Sequence, residues 1–285
     1  MGIIQKGTSV IENKKRLIWK IGMGLRDGYW LSRIFRYLPL SYLTKMFLDA
    51  LPKPSYAFGV YSACYQAKAL GLDSISVLEF GVASGKGLRS LEKHAQKIGA
   101  IFDINVNVYG FDIGSGLVDT GDYRDIVYWF EPTIFKVDIE KVRRSLKRAK
   151  LVVGDVALTV QEFQRRLPSP IGFVSFDLDH YTATKHALQI FDWPSETRLP
   201  RVACYFDDIF GISDLTLPCE AVGEERAICE FNRSRKDSGG IYKITGLRYK
   251  RAIPSYWNEQ MYVFHDFHHP LYNKGINQLA HQQTS

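Results

Sequence analysis

Cysteine is scarce in this chain: four residues in 285, Cys64, Cys204, Cys219 and Cys229, none of them in a Cys-x-x-Cys pair. No disulfide framework is implied, and cysteines inside apolar or helical runs read as small buried hydrophobes. Long apolar runs are missing as well. The longest are strand-sized and broken by charges, and residues 1–20 lack an uninterrupted apolar segment of the secretory kind. A soluble, cytoplasmic protein is the expectation. There is no internal repeat and no low-complexity tract, and the polar tail over 274–285, which ends Gln282-Gln283-Thr284-Ser285, is expected to fray.

Charge is not balanced; the net charge is +7. Such an excess raises the question of nucleic acid, which depends on where the charge lies. Part of it falls near the start, at Lys14, Lys15, Arg16, Lys20, Arg26, Arg33 and Arg36. A second run, Lys141, Arg143, Arg144, Lys147, Arg148 and Lys150, is spread around a helical period instead of forming one stripe. That is the habit of a solvated surface helix, so nucleic acid is not an expected partner.

What the chain does have is 46% hydrophobic residues, enough for one large α/β core with a smaller helical appendage. From about residue 9 to 71 the pattern is helical, with Leu17, Ile18, Ile21 and Leu25 at three- and four-residue steps and Pro39, Pro52 and Pro54 as punctuation. After Gly71, β-rich runs alternate with helical ones: Ile75 to Phe80, Val106 to Phe111, Leu151 to Val153, Gly172 to Phe176, Val202 to Phe206, Tyr242 to Leu247 and Met261 to Phe264. Alternation of this kind predicts right-handed βαβ units and a mostly parallel, Rossmann-like seven-stranded sheet of the α/β class. The last two strands have only a short, Pro-containing link, which predicts an antiparallel terminal hairpin. Residues 1–70 form the N-terminal helical segment, with Trp19, Tyr29, Trp30, Phe35 and Tyr37 among its arginines. A lid or homodimer face is expected there, contact with an anionic membrane surface being the alternative. Residues 71–273 form the binding domain.

The first strand runs into a glycine-rich turn, Val77-Leu78-Glu79-Phe80-Gly81-Val82-Ala83-Ser84-Gly85-Lys86-Gly87, and then into a helix. Glycines there let the backbone turn with positive φ and let a ligand approach closely, while the helix N-terminus offers free N–H groups. A dinucleotide fingerprint reads Gly-x-Gly-x-x-Gly, whereas an acidic residue stands here two positions before the first glycine. The second strand ends in Asp112, where a carboxylate is placed to accept both ribose hydroxyls, and the third ends in Gly154-Asp155. Together the segments resemble class I S-adenosylmethionine-dependent methyltransferases. The resemblance implies that Glu79, Gly81, Ser84, Gly85, Gly87, Asp112, Gly154 and Asp155 hold S-adenosylmethionine.

The fourth strand ends in Asp177-Leu178-Asp179-His180-Tyr181 and the fifth in Asp207-Asp208. In a parallel sheet both sets emerge at one edge. Two charges about 4 Å apart repel by roughly 4 kcal/mol at an effective dielectric of about 20, so gathered carboxylates require a cation or a shared proton. This pattern resembles the Mg²⁺-dependent O-methyltransferases, the macrocin O-methyltransferase group in particular. That likeness implies Asp177, Asp207 and Asp208 as metal ligands and Mg²⁺ as a cofactor, with a small-molecule hydroxyl, on a sugar or glycan, as acceptor. His180 stands where catechol O-methyltransferases place a base, here lysine being replaced by histidine, and is the candidate general base beside Asp177. Against a metal, neighbouring strand residues point to opposite faces, and Asp179 and Tyr181 can serve to cap the next helix.

Stretches including Asp122 to Asp125, Ile171 to Tyr181 and Trp257 to Tyr262 also look like a family of bacterial methyltransferase-like proteins. Asp122-Tyr123-Arg124-Asp125 reads as a self-satisfied surface turn, or else as a loop touching substrate or donor. Gly223 to Asn232 reads as a plain helix, and His265-Asp266-Phe267-His268-His269 as a polar strand end rather than a metal site. A nicotinamide-dependent oxidoreductase and a non-enzymatic membrane-associated protein are the alternatives to a methyltransferase.

Overall fold

The computed structural model describes residues 29–131, 134–210 and 216–277. The basic residues Lys14 to Arg26, Trp19, the apolar steps from Leu17 to Leu25 and the end of the polar tail lie outside these. The chain divides into two compact units, one comprising residues up to 54 with 245–259 and the other residues 55–244 with those from 260 onward.

In the smaller unit, α1 (Tyr29–Tyr37) is followed by α2 (Tyr42–Phe47), whose N-cap Ser41 accepts the Thr44 N–H on its Oγ at 3.1 Å. Asp49 adopts a left-handed φ of 51° and is buried. Its carboxylate accepts the indole N–H of Trp257 at 2.9 Å and pairs with Arg251, which ties residues two hundred positions apart in sequence. Among the described residues no helix is long and apolar enough to cross a membrane.

The larger unit opens with α3 (Pro54–Leu70), in which proline takes the first position, where its missing N–H costs nothing. The sequence places the start of the sheet domain near residue 71, but Ser55–Leu70 belongs to this unit. The reason lies in the small side chains of α3: a Cβ on Gly59 would stand 2.2 Å from the Phe173 ring. Seven strands follow, β1 (Ser74–Phe80), β2 (Asn105–Asp112), β3 (Lys150–Val153), β4 (Ile171–Phe176), β5 (Arg198–Phe206), β6 (Gly239–Lys243) and β7 (Met261–Asp266), in the spatial order β3-β2-β1-β4-β5-β7-β6. The first five are parallel, and β7 runs antiparallel between β5 and β6. The α/β fold is therefore the one expected, with its antiparallel hairpin at one edge. The intervening helices are α4 (Lys86–Phe102), α5 (Ile139–Ser145), α6 (Val156–Gln164), α7 (Tyr181–Ala187) and α8 (Gly223–Arg235).

Two local expectations are corrected. β6 lies at 239–243, not 242–247, because its two glycines admit close approach: a Cβ on Gly239 would meet the His265 carbonyl oxygen at 2.0 Å. The basic run at 141–150 is helical only to Ser145. Beyond it, Glu92 from α4 accepts the backbone N–H groups of Lys147 and Ala149, each at 2.9 Å, and Lys150 begins β3.

The core is organised by a row of rings. Phe111, Phe80, Phe176 and Phe206 occupy matching positions near the ends of β2, β1, β4 and β5. Their centroids lie 4.6, 5.6 and 4.6 Å apart in near-parallel stacking, and Tyr262 of β7 closes the row edge-on to Phe206 at 5.2 Å. Each such pair contributes about 0.5–1.5 kcal/mol beyond its burial.

Candidate functional site

The sheet order reverses between β2-β1 and β4-β5, and such a switch point leaves a crevice beyond the carboxyl ends of the strands. Here it is a cavity of about 390 Å³, within the range of small-molecule sites. Phe80 and Phe111 line it, so the row of rings supplies part of its wall.

The turn after β1 is wedged between its neighbours. The Gly81 N–H donates to the Phe111 carbonyl and the Asp177 N–H to the Phe80 carbonyl, both at 2.9 Å. Gly81 has φ 83°, and a Cβ there would lie 1.7 Å from the Asp177 carbonyl oxygen, so only glycine is accommodated. Asp112 braces the turn from β2. One of its oxygens accepts the N–H groups of Val82 and Ala83, each at 2.9 Å, and the other accepts that of Gly114 at 2.6 Å. Gly81, Ala83, Asp112, Gly154 and Asp155 all line the cavity. Asp155 also caps α6, accepting the Ala157 N–H at 2.9 Å.

Glu79, Ser84, Gly85 and Gly87 are not part of the lining. Glu79 is buried beneath the turn, where the Tyr56 hydroxyl donates to its Oε1 at 2.6 Å and itself accepts from Ser175 at 2.9 Å. Burial and the Glu79 charge push the Tyr56 phenol well above its usual range. Gly87 leaves room for that carboxylate, and Gly85 starts α4 in the left-handed region.

On the other side of the switch point Asp177, Asp179, His180, Asp207 and Asp208 line the cavity. The Asp179 N–H donates to Asp208 Oδ2 at 3.1 Å, and the Asp208 N–H donates to Glu224 Oε2 at 3.0 Å. Asp207 accepts the Tyr205 hydroxyl at 2.5 Å. Burial, followed by repulsion from Asp207, pushes the Asp179 carboxyl up to about 7. Burial and neighbouring carboxylates hold Asp208 and Glu224 well above the carboxylate range. Glu224 is fully buried and its Oε1 has no hydrogen-bond partner.

For Mg²⁺ the oxygen-only donor set is suitable, but the arrangement is not. Among the described residues no three His, Cys, Asp or Glu side chains are grouped to hold a metal ion. Asp177, Asp207 and Asp208 therefore do not form a ready-made metal site, although they lie near enough for Asp177 and Asp207 to raise Asp208. His180 is buried beside Phe130, its Nε2 lying 3.5 Å from the Phe130 carbonyl oxygen.

Sequence reasoning missed three participants. Glu224 was read as part of a plain helix, and nothing in its spacing links it to Asp208. Asp179 carries the sequence signal of a helix cap, and only its place one residue from His180 marks it further. Asp125 is the third: the turn holding it is only partly self-satisfied. Arg124 does pair with Asp122 at 2.7 Å, but Asp125 is fully buried and accepts the backbone N–H of Thr182, in α7, at 2.7 Å. The His265 to His269 run is structural. Asp266 pairs with buried Arg198 at 2.6 Å, His265 Nδ1 meets the Tyr272 hydroxyl at 2.7 Å, and His269 Nε2 meets the Arg198 carbonyl oxygen at 3.2 Å.

No protein-family model matches the chain, and no curated protein matches it. Among solved structures it is similar to the calicheamicin methyltransferase CalS11, at 18% identity over 83% of this chain and 90% of that one, with a TM-score of 0.46. The O-methyltransferase TomG from Streptomyces achromogenes, solved with SAM, is similar at 12% identity over 85% and 98%, with a TM-score of 0.46. An O-methyltransferase from Bacillus cereus, solved with SAH, is similar at 12% identity over 85% and 97%, with a TM-score of 0.41.

Proposed function

We propose that this protein transfers a methyl group from S-adenosylmethionine to a hydroxyl oxygen of a small molecule, with a sugar or glycan as the acceptor class. The observation that carries this is the charge of the cavity. Its lining includes Asp112, Asp155, Asp177 and Asp207, besides Asp179 and Asp208 whose carboxyls are held up by burial, and among the described residues no lysine or arginine. A donor with a sulfonium cation suits such a cavity, whereas the doubly anionic pyrophosphate of a nicotinamide dinucleotide is repelled by it.

When bound, S-adenosylmethionine supplies an activated methyl group on sulfur. Gly81 and Ala83 would give it a close-packed backbone, Asp112 an acceptor for its ribose hydroxyls, and Gly154 with Asp155 a wall for its adenine. Asp112 keeps one lone pair for this task, on Oδ1, which accepts a single N–H. For the acceptor oxygen to take that methyl group, its hydroxyl would have to give up a proton to a neighbouring base. Asp179 takes it: its carboxyl lines the cavity and, titrating at about 7, holds a proton weakly enough to act near neutral pH. This role passes to Asp179 from His180, whose ring nitrogen already faces the Phe130 carbonyl oxygen. No step is routed through Mg²⁺, since among the described residues no three such side chains are grouped to hold a metal ion.

Isothermal titration tests the proposal. Saturable binding of S-adenosylmethionine and S-adenosylhomocysteine is expected, together with no thermal shift on adding NAD. Absence of heat with either compound at high micromolar concentration overturns it.

A further inference from the structure

Two walls of the cavity come from segments distant in sequence. Thr120 lies in the loop after β2, and Thr182 in the first turn of α7; both line the cavity. Their side chains meet at one atom. Asp125 Oδ2 accepts the Thr182 hydroxyl at 2.9 Å and also the Thr120 hydroxyl. The other oxygen accepts the Thr182 backbone N–H at 2.7 Å. That bond supplies the helix cap which His180, the N-cap residue of α7, does not provide with its own side chain.

The surroundings reinforce the tie. The Arg124 guanidinium lies over the Tyr181 ring at 4.1 Å and pairs with Glu230 of α8 at 3.1 Å. Tyr181 donates its hydroxyl to the same Glu230 at 2.5 Å. Asp125 itself is fully buried. A carboxylate in that position is matched to its partners, since all are donors and it is acceptor-only.

We infer that Asp125 is a positioning residue that joins the loop wall to the α7 wall and so fixes the place of Asp179, two residues before the helix start. Asp179 adopts a left-handed φ of 61°, a backbone state uncommon outside glycine, which its neighbours determine here. The capped start of α7 on one side and the Asp208 contact on the other provide that determination. The inference rests on the methyl-donor proposal for what the cavity binds, but not for the tie itself.

The test uses the full chain with S-adenosylhomocysteine as the calorimetric probe. Asp125→Ala is expected to weaken binding about tenfold or more, and Asp125→Asn less, because the threonine hydroxyls can rotate to accept from an amide. Thr120→Val and Thr182→Val should each weaken binding, the double variant falling short of their product, since both cut one junction. In an Asp125→Ala background the two threonine changes should add less than about twofold. Binding by folded Asp125→Ala within about twofold of wild type overturns the inference, as do fully multiplicative threonine effects. A wild-type protein that binds no S-adenosylhomocysteine instead removes the methyl-donor proposal. The tie is then read by hydrogen exchange: Asp125→Ala should lose amide protection jointly over 113–131 and 179–187, and unchanged protection in either segment overturns it.

Discussion

The carboxylate of Asp112, at the end of β2, accepts the backbone N–H of Ala83, in the turn after β1, at 2.9 Å. The same oxygen takes the Val82 N–H, and Ala83 has a left-handed φ of 43°. The turn is thus shaped by the neighbouring strand as well as by its own glycines.

Removing that brace should loosen the donor turn. With three amide bonds to a charged acceptor lost, Asp112→Ala is expected to weaken S-adenosylhomocysteine binding by about thirtyfold or more, and Asp112→Asn by less. Calorimetry decides the matter, and affinity for the alanine variant within about threefold of wild type would show that the turn stands unaided.

Gly87 is a matter of space. A Cβ there would stand 1.9 Å from Glu79 Oε1 and 3.2 Å from the Tyr56 hydroxyl, and that pair is locked at 2.6 Å with Ser175 behind it. Gly87→Ala should therefore destabilise the fold by about 1–3 kcal/mol, as overpacking does, and lower the Tm by several degrees. An unchanged melting curve would mean that Glu79 has freedom its burial denies.

Stability should depend on pH through the carboxylates beside the switch point. Asp179 is pushed up to about 7, and Asp208 and Glu224 are raised well above the usual range. In the unfolded chain all three lose protons near pH 4, so the folded state alone keeps protons between there and its own raised values. Their stabilisation is complete below about pH 4 and is lost as pH climbs through the folded values. His265 and His269, depressed by burial from 6.5, act in the opposite sense, their stabilisation being lost as pH falls below that value. The Tm is accordingly expected to fall from about pH 6.5 to 8.5 in EDTA, and Glu224→Gln should flatten the slope. A Tm that rises over this window contradicts the assignment.

Donor binding should not need a metal. No three carboxylates are grouped to hold a cation among the described residues, and the donor side of the cavity is built from backbone and Asp112. Affinity for S-adenosylhomocysteine is expected to be equal, within about twofold, in EDTA and in millimolar Mg²⁺. A tenfold loss on chelation would make a cation part of the donor site.

The strand ends were legible because each is written locally. A β-rich run ends in Phe80 before Gly81, in Phe111 before Asp112, in Phe176 before Asp177 and in Phe206 before Asp207, and the pattern that names the strand names its last residue. The contact of Asp208 with Glu224 was not legible, since sixteen residues and a helix start separate the partners and no periodicity connects them. The same holds for Asp125 and Thr182, fifty-seven residues apart and joined only once α7 packs beside the loop. β6 was misplaced because glycines weaken the strand signal at Gly239 and Gly240, although close pairing with β7 requires them there.

The row of rings from Phe111 to Phe206 also bears on selectivity. Flat side chains packed face to face and one strand apart cannot swing independently, because each needs its neighbour to move first. Of the row, Phe80 and Phe111 line the cavity, and the wall they give it is the same for every incoming molecule. Discrimination among bound molecules then belongs to the loops that rise around it, and exchanging those loops, not recutting the core, is the route by which a chain of this design would come to hold a different compound.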